Sequence, residues 1–117
     1  RNVLKIDPKH PDAHYRIGML LQRDREYEEA VQAFRDQLDV NPEHHGARLN
    51  LGILLKGLGQ TDEAVTQLAR VASEQSDYQR RSILELAQVF QARREFEKAS
   101  QLLTKLFSIQ RPLNTEM

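Results

Sequence analysis

His14-Tyr15-Arg16-Ile17-Gly18-Met19-Leu20-Leu21 returns as Arg48-Leu49-Asn50-Leu51-Gly52-Ile53-Leu54-Leu55, and again as Ile83-Leu84-Glu85-Leu86-Ala87-Gln88-Val89-Phe90. Gly52 lies 34 residues after Gly18, and Ala87 lies 35 after Gly52. A fixed period of this length is the mark of a stacked helical array, in which each unit is one supersecondary element. Apolar residues within each stretch recur at i, i+3 and i+4, as in Ile17, Leu20, Leu21, so they form a stripe on a helix and not the alternation of a strand.

Other columns keep the same register. Small residues return at Ala30, Ala64 and Ala99, and large ones at Phe34, Leu68 and Leu103, and Pro8 pairs with Pro42. Each unit therefore holds two helices, one carrying the Gly18 column and one carrying the Ala30 column. Breaks fall at Arg23-Asp24-Arg25-Glu26, Gly57-Leu58-Gly59-Gln60 and Ala92-Arg93-Arg94-Glu95, and Asn41-Pro42 stops the second helix of its unit. The spacing predicts helices over 11–24, 27–40, 45–58, 61–75, 79–93 and 95–109. The extra residue of the last interval is expected in the polar stretch Ser73-Glu74-Gln75-Ser76-Asp77, where a loop absorbs it without moving a packed face. Residues 1–7 read as the last turns of a preceding unit, because Ile6-Asp7-Pro8 stands where Val40-Asn41-Pro42 recurs one period later. The expectation is a piece of a longer chain, begun in mid-unit.

These residues resemble the tetratricopeptide repeat pattern W-x2-L-G-x2-Y, A-x3-F, P of a 34-residue period. His14-x2-Ile17-Gly18-x2-Leu21, Ala30-x3-Phe34 and Pro42 fill the first unit. The second gives Arg48-x2-Leu51-Gly52-x2-Leu55 and Ala64-x3-Leu68 with Ser76 in the proline slot, the third gives Ile83-x2-Leu86-Ala87-x2-Phe90 and Ala99-x3-Leu103, and the tryptophan slot is never tryptophan. The resemblance implies an all-α, right-handed superhelical stack of antiparallel helix hairpins. Its organisation is the end of a truncated repeat at 1–10, repeats at 11–44, 45–78 and 79–111, and a tail at 112–117. It further implies a close crossing of paired helices at Gly18, Gly52 and Ala87, where a larger side chain would push the axes beyond the usual ~8–10 Å.

Composition narrows the function. The 117 residues carry seventeen Lys and Arg against seventeen Asp and Glu, so no global field steers the molecule to nucleic acid or an anionic membrane. Arg16, Arg23, Arg25, Arg80, Arg81, Arg93 and Arg94 are interspersed with acids and lack the aromatic interleaving of a single-strand reader, so no nucleic-acid partner is expected. No apolar run approaches the roughly 20 residues of a membrane helix, so no membrane insertion is expected. The absence of cysteine removes disulfides and thiolate chemistry. Cytoplasm is the favoured compartment, with periplasm and cell exterior left open.

Catalysis needs a nucleophile with a base, paired carboxylates in a pocket, or metal ligands. The histidines are the only set with such a look. His10 and His14 are four apart with Pro11 between them, and His44 and His45 are adjacent. No third ligand is expected to be placed nearby, so they read as surface residues, with no metal, no cofactor and no enzyme expected. Arg35 and Asp39 are spaced for an i,i+4 pair, and the carboxylates Glu28, Glu29, Asp36 and Asp39 follow a solvated helical face.

In arrays of this family the first helix of each unit lines the concave surface. The resemblance therefore puts Tyr15, Met19, Leu49, Ile53, Leu84 and Gln88 on a binding stripe. A polar edge of Asp12, Arg16, Arg23, Asn50, Lys56, Arg81, Glu85 and Gln91 runs beside it. Such a surface suits a protein or peptide segment whose backbone is hydrogen-bonded while its side chains enter shallow pockets. The competing reading of Leu49, Ile53 and Leu84 is plain repeat core. Asn50 resembles the groove asparagines that hold a peptide backbone in this family, an amide being able to donate and accept at once. Its equivalents are Arg16 and Glu85. The carboxylate clamp for chaperone tails fails residue by residue, since its other slots hold Tyr15, Met19 and Glu85 and only Arg81 and Asn50 fit. A spacer or self-assembly module is the alternative. The last helix offers Leu102, Leu103, Leu106, Phe107 and Ile109, more than its partner helix can cover, so self-association through that helix is expected.

Overall fold

The computed structural model describes residues 10–110. Six helices follow one another: α1 Ala13–Arg23, α2 Tyr27–Val40, α3 His45–Gly57, α4 Thr61–Ala72, α5 Gln79–Ala92 and α6 Phe96–Gln110. No strand occurs among the described residues. Two of the six expected helices are overdrawn by two residues or more. The first begins at Ala13 because residues 10–12 form a turn closed by Ala13 N–H on the His10 carbonyl at 3.0 Å. The fourth ends at Ala72, not 75, where Ser73 Oγ donates to the Arg70 carbonyl at 2.8 Å. The readings of residues 1–7 and of the 112–117 tail lie outside the described residues.

α1 packs on α2, α3 on α4 and α5 on α6, and α2 and α4 each pack on the helix that follows. The turn inside each hairpin is built the same way three times. Arg25, Gly59 and Arg94 adopt φ of 65°, 85° and 63°. The next N–H reaches back five residues, Glu26 to Leu21, Gln60 to Leu55 and Glu95 to Phe90, at 2.9, 2.9 and 2.8 Å. This pair of features closes the orphan carbonyls of a helix end with a left-handed residue just past it. Glycine suits that conformation; Arg25 and Arg94 carry a strain of about 1 kcal/mol each.

The core is two linked clusters. The first gathers Leu21, Ala30, Phe34, Leu51, Leu55 and Ala64 around the α1–α2 hairpin and α3. The second gathers Leu49, Leu68, Val71, Ile83, Leu86 and Leu106 around α4, α5 and α6. α3 contributes to both, which is why it is the most buried first helix. Ala30, Ala64 and Ala99 are each within 2% of full burial, as expected of small residues where paired helices cross. Leu106 corrects the sequence reading: it is 7% exposed, inside the second cluster. The exposed large apolar residues of α6 are Phe96, Leu103 and Phe107.

Ion pairs also tie units together. Arg35 on α2 makes two hydrogen bonds to Glu63 on α4, at 2.6 and 3.0 Å, in place of the expected pair with Asp39. A bidentate fork across helices outcompetes a single local contact that must hold two long side chains on one face. The hydrogen bonds from Arg35 hold the Glu63 carboxyl below the ordinary carboxylate range.

Candidate protein-binding face

Of the fourteen residues expected on the binding stripe and its polar edge, thirteen lie on α1, α3 and α5, and Asp12 immediately precedes α1. The structure brings some together. Asn50 Nδ2 donates to Met19 Sδ at 3.1 Å, joining α3 to α1. Burial, followed by the neighbouring Tyr78 phenol, pushes the Tyr15 pKa up, and Asn50 works against that rise. A Cβ on Gly46 would come 3.1 Å from both the Tyr15 hydroxyl and the Tyr78 ring, so glycine is what lets the two tyrosines close over the start of α3. Tyr15 also lies against the His44 ring, centroids 4.5 Å apart. Asp12, Tyr15, Arg16, Met19 and Leu20 line an open cavity of about 510 Å³ on the amino-terminal side of this cluster.

A second cluster joins α3 to α5. Lys56 Nζ donates to Gln88 Oε1 at 3.0 Å and forms an ion pair with Glu85, which Arg81 Nε also approaches at 2.8 Å. Glu85 is nearly buried, and burial alone would raise its pKa. The hydrogen bonds from Lys56 and then Arg81 outweigh that, and the carboxyl is held low. Lys56 and Gln88, with Thr61, Val89, Ala92 and Arg93, border a cavity of about 380 Å³. Because the folded pKa of Glu85 is depressed, its stabilisation is present above the unfolded value near 4.5 and is lost as pH falls through the lower folded value. Glu85→Gln is expected to cost about 1 kcal/mol at pH 7, at the exposed-pair end of the scale because Arg81 is mostly in water. The difference from wild type should narrow progressively in urea titrations taken below the unfolded value near 4.5; a difference that stays constant from pH 7 down to the acid limit of the folded protein would show that the charge is not what Glu85 contributes.

The other residues fall apart from these clusters. Leu49 is 6% exposed and sits in the second core, so it is not on the face. The reason is position: α3 is the central first helix, and its flank toward the third unit is covered by α4 and α5. Ile53 is half-buried against the same core, lining a recess with Gln22, Tyr27, Leu54, Gly57 and Leu58. Leu84 is exposed on α5, Arg16 is exposed, and Arg23 lies 3.8 Å from Asp24. Tyr78 and Gly46 were missed by the sequence reading. Tyr78 follows the stretch expected to carry the extra residue, and the equivalent positions of the other units hold Glu43 and Lys9, so periodicity gave no sign of it.

The histidines are not four equivalent surface residues. His44 Nδ1 accepts from Ala47 N–H at 3.0 Å, capping α3, and its Nε2 lies 3.2 Å from Asp12 Oδ1. His45 Nε2 lies 3.3 Å from Glu74 Oε1, across from the start of α3 to the end of α4. The premise that no third acid or imidazole stands near the His44-His45 pair therefore fails: Glu74 is brought in from 29 residues away along the chain.

A tetratricopeptide repeat model matches residues 21–83, and a second model of the same description matches residues 1–32. No curated protein gives a significant match. Among solved structures, one described as MamA superposes with a TM-score of 0.80 at 18% identity, covering 87% of this chain and 59% of its own. One described as a CopN-Scc3 complex gives 0.78 at 20%, covering 98% and 68%. A Podosopora anserina putative kinesin light chain with nearly identical TPR-like repeats gives 0.69 at 21%, covering 96% and 61%. At these identities the likeness is one of fold. The chain spans about three fifths of the length of the first of these structures. No helix among the described residues is long and apolar enough to cross a membrane.

Proposed function

Because this chain belongs to the tetratricopeptide repeat family, with a family model over residues 21–83, we propose that it is a non-catalytic scaffold holding an extended segment of another protein against α1, α3 and α5. The all-α hairpin stack is the right-handed superhelix of that family, a fold that typically serves as an interaction module. The observation that carries the reading is the state of Asn50. Its amide donor rests on Met19 Sδ, a weak acceptor. Exchanging that contact for a peptide carbonyl gains a stronger hydrogen bond while Met19, an adaptable thioether side chain, moves aside to pack on the ligand. Tyr15 and Tyr78 beside it offer amphipathic rings, and Leu84 and Gln88 extend the surface along α5. The Lys56–Glu85–Arg81 group gives that end a net positive charge, so a segment with an acidic residue at that end is favoured.

A second reading, assembly through the carboxyl-terminal helix, is favoured by one observation. Phe34 and Leu68 are fully buried, yet Leu103 in the same column is 38% exposed, and Phe107 on the same helix is 66% exposed. One set of experiments separates the two. The chain, immobilised and exposed to a library of random extended peptides, is expected to enrich a consistent sequence class whose affinity drops about tenfold with Asn50→Ala, the loss of about one charge-neutral hydrogen bond and its geometry. Peptides bound equally well by wild type, Asn50→Ala and Leu84→Glu would sink the groove reading. Under the assembly reading no peptide class is enriched, and sedimentation shows concentration-dependent association that Phe107→Glu abolishes.

A further inference from the structure

Among the described residues, one set of side chains converges as metal ligands do: a carboxylate oxygen of Glu43, an imidazole nitrogen of His45 and a carboxylate oxygen of Glu74 lie within 4.8 Å of one another. We propose that these three residues form a binding site for a divalent cation of zinc's class, which ties together the two open ends of the α3–α4 hairpin.

The site's placement follows from the fold. α3 and α4 run antiparallel and are joined at Leu58-Gly59-Gln60, so the start of α3 and the end of α4 meet at the opposite end of the hairpin. Glu43 and His45 flank the amino terminus of α3; Glu74 follows the carboxyl terminus of α4. Both backbones are fixed locally. Glu43 N–H donates to Asn41 Oδ1 at 3.0 Å, and Glu74 N–H donates to the Val71 carbonyl at 3.3 Å. His44 is taken up in capping α3 and facing Asp12, which leaves the adjacent His45 to turn toward Glu74.

The donor set suits a borderline ion. Imidazole nitrogen with carboxylate oxygens is the chemistry of zinc sites, while an all-oxygen shell would be needed for calcium or magnesium. Metal bonds of about 2.0–2.2 Å in a tetrahedral shell set ligand atoms about 3.4 Å apart. His45 Nε2 and Glu74 Oε1 are already 3.3 Å apart. Glu43 is exposed and has the rotamer freedom to close the third edge. A water completes four-coordination.

Two carboxylates around one neutral imidazole also give the site a charge of −2. The Arg48 guanidinium feels both Glu43 and Glu74, and its own hydrogen bonds to Gln67 Oε1 and the Pro42 carbonyl keep it in place. Arg48 therefore offsets part of the attraction, so binding should be weaker than in a closed four-ligand structural site. The consequence of binding is mechanical. A cation would cross-link the inter-hairpin loops on either side of the α3–α4 hairpin and so fix the angle at which successive hairpins stack, and with it the curvature of the face described above.

The test is titration of the metal-stripped chain with zinc chloride at pH 7.5 in a non-coordinating buffer, followed by calorimetry and by melting. One equivalent should bind, with a rise in Tm of roughly 5–10 °C at about a hundredfold excess over Kd, reversed by EDTA. His45→Gln and Glu74→Gln should each weaken binding at least tenfold, and His14→Gln should leave it unchanged. NMR of the unaltered chain keeps the outcome clear even if a variant misfolds: the His45 ring protons should shift at one equivalent while those of His14 do not. No saturable one-to-one binding, or full affinity retained in the His45→Gln, Glu74→Gln double variant, or a shift at His14 in place of His45, would overturn the proposal.

Discussion

Gly52→Leu is expected to lower the unfolding free energy by about 2–4 kcal/mol, even though replacing a mid-helix glycine would otherwise gain close to 1 kcal/mol in helix propensity. An added Cβ at Gly52 would stand 2.8 Å from Leu68 Cγ and Cδ2, and Leu68 is fully buried with no room to swing. The same holds at Gly18, where a Cβ would come 2.6 Å from Cε1 of the buried Phe34 ring. The third unit acts as an internal control. There the column holds Ala87, and the residue in the Phe34 and Leu68 column is Leu103, which lies partly in solvent. The chain thus carries a Cβ only where the opposing side chain has space to give way. Urea unfolding of Gly52→Leu, and of Gly52→Ala paired with Leu68→Ala, measures the effect. The pair should recover part of the loss of Gly52→Ala measured against Leu68→Ala, and a cost below about half a kilocalorie for Gly52→Leu would mean the register of the columns is wrong.

That prediction was available from the repeat alone, since Gly18, Gly52 and Ala87 form a column before any coordinate is known. The same is true of the helix order and of every intrahairpin turn, because periodicity reports whatever each unit does alike. It is silent about what one unit does alone. Leu49 occupies a face position by analogy with Tyr15, yet it is core, because the central helix has a neighbour on both sides. Arg35 looked like half of a local pair with Asp39, but its partner Glu63 is one hairpin away. Tyr78 stands where the preceding unit carries Glu43. Leu106 was grouped with Phe107 as an uncovered apolar surface, although one position on a helix turns the side chain by about 100°, enough to separate a core residue from an exposed one. The candidate face was thus legible as a set of helices and only partly as a set of residues.

Gln37 is the sharpest case of a unit acting alone, and Gln37→Leu is expected to cost about 1–3 kcal/mol. Its repeat equivalents are Val71 and Leu106, so pattern alone would call it a core position occupied by the wrong residue. It is fully buried. Its Oε1 accepts from Tyr15 N–H at 2.9 Å and its Nε2 donates to the Pro11 carbonyl at 3.0 Å. Tyr15 N–H is one of the first-turn donors of α1, which has no partner within the helix, and Asp12 at the cap position makes no side-chain hydrogen bond to it. Gln37 on α2 therefore caps α1 from across the hairpin. Leucine matches its volume closely, so the change leaves little cavity. What it removes is the side-chain partner of two part-buried backbone groups, the Tyr15 N–H and the Pro11 carbonyl, which together are worth about 1–3 kcal/mol. Gln37→Glu discriminates between capping and packing: its carboxylate can still accept from Tyr15 N–H but cannot donate to Pro11, and at neutral pH it also buries a charge. If capping is the role, amide exchange at Tyr15 should accelerate in Gln37→Leu by more than the global loss of stability accounts for, with α3 to α6 following the global change only. A Gln37→Leu protein as stable as wild type, with Tyr15 equally protected, would mean that water reaches the start of α1 and that the glutamine does no more than fill space.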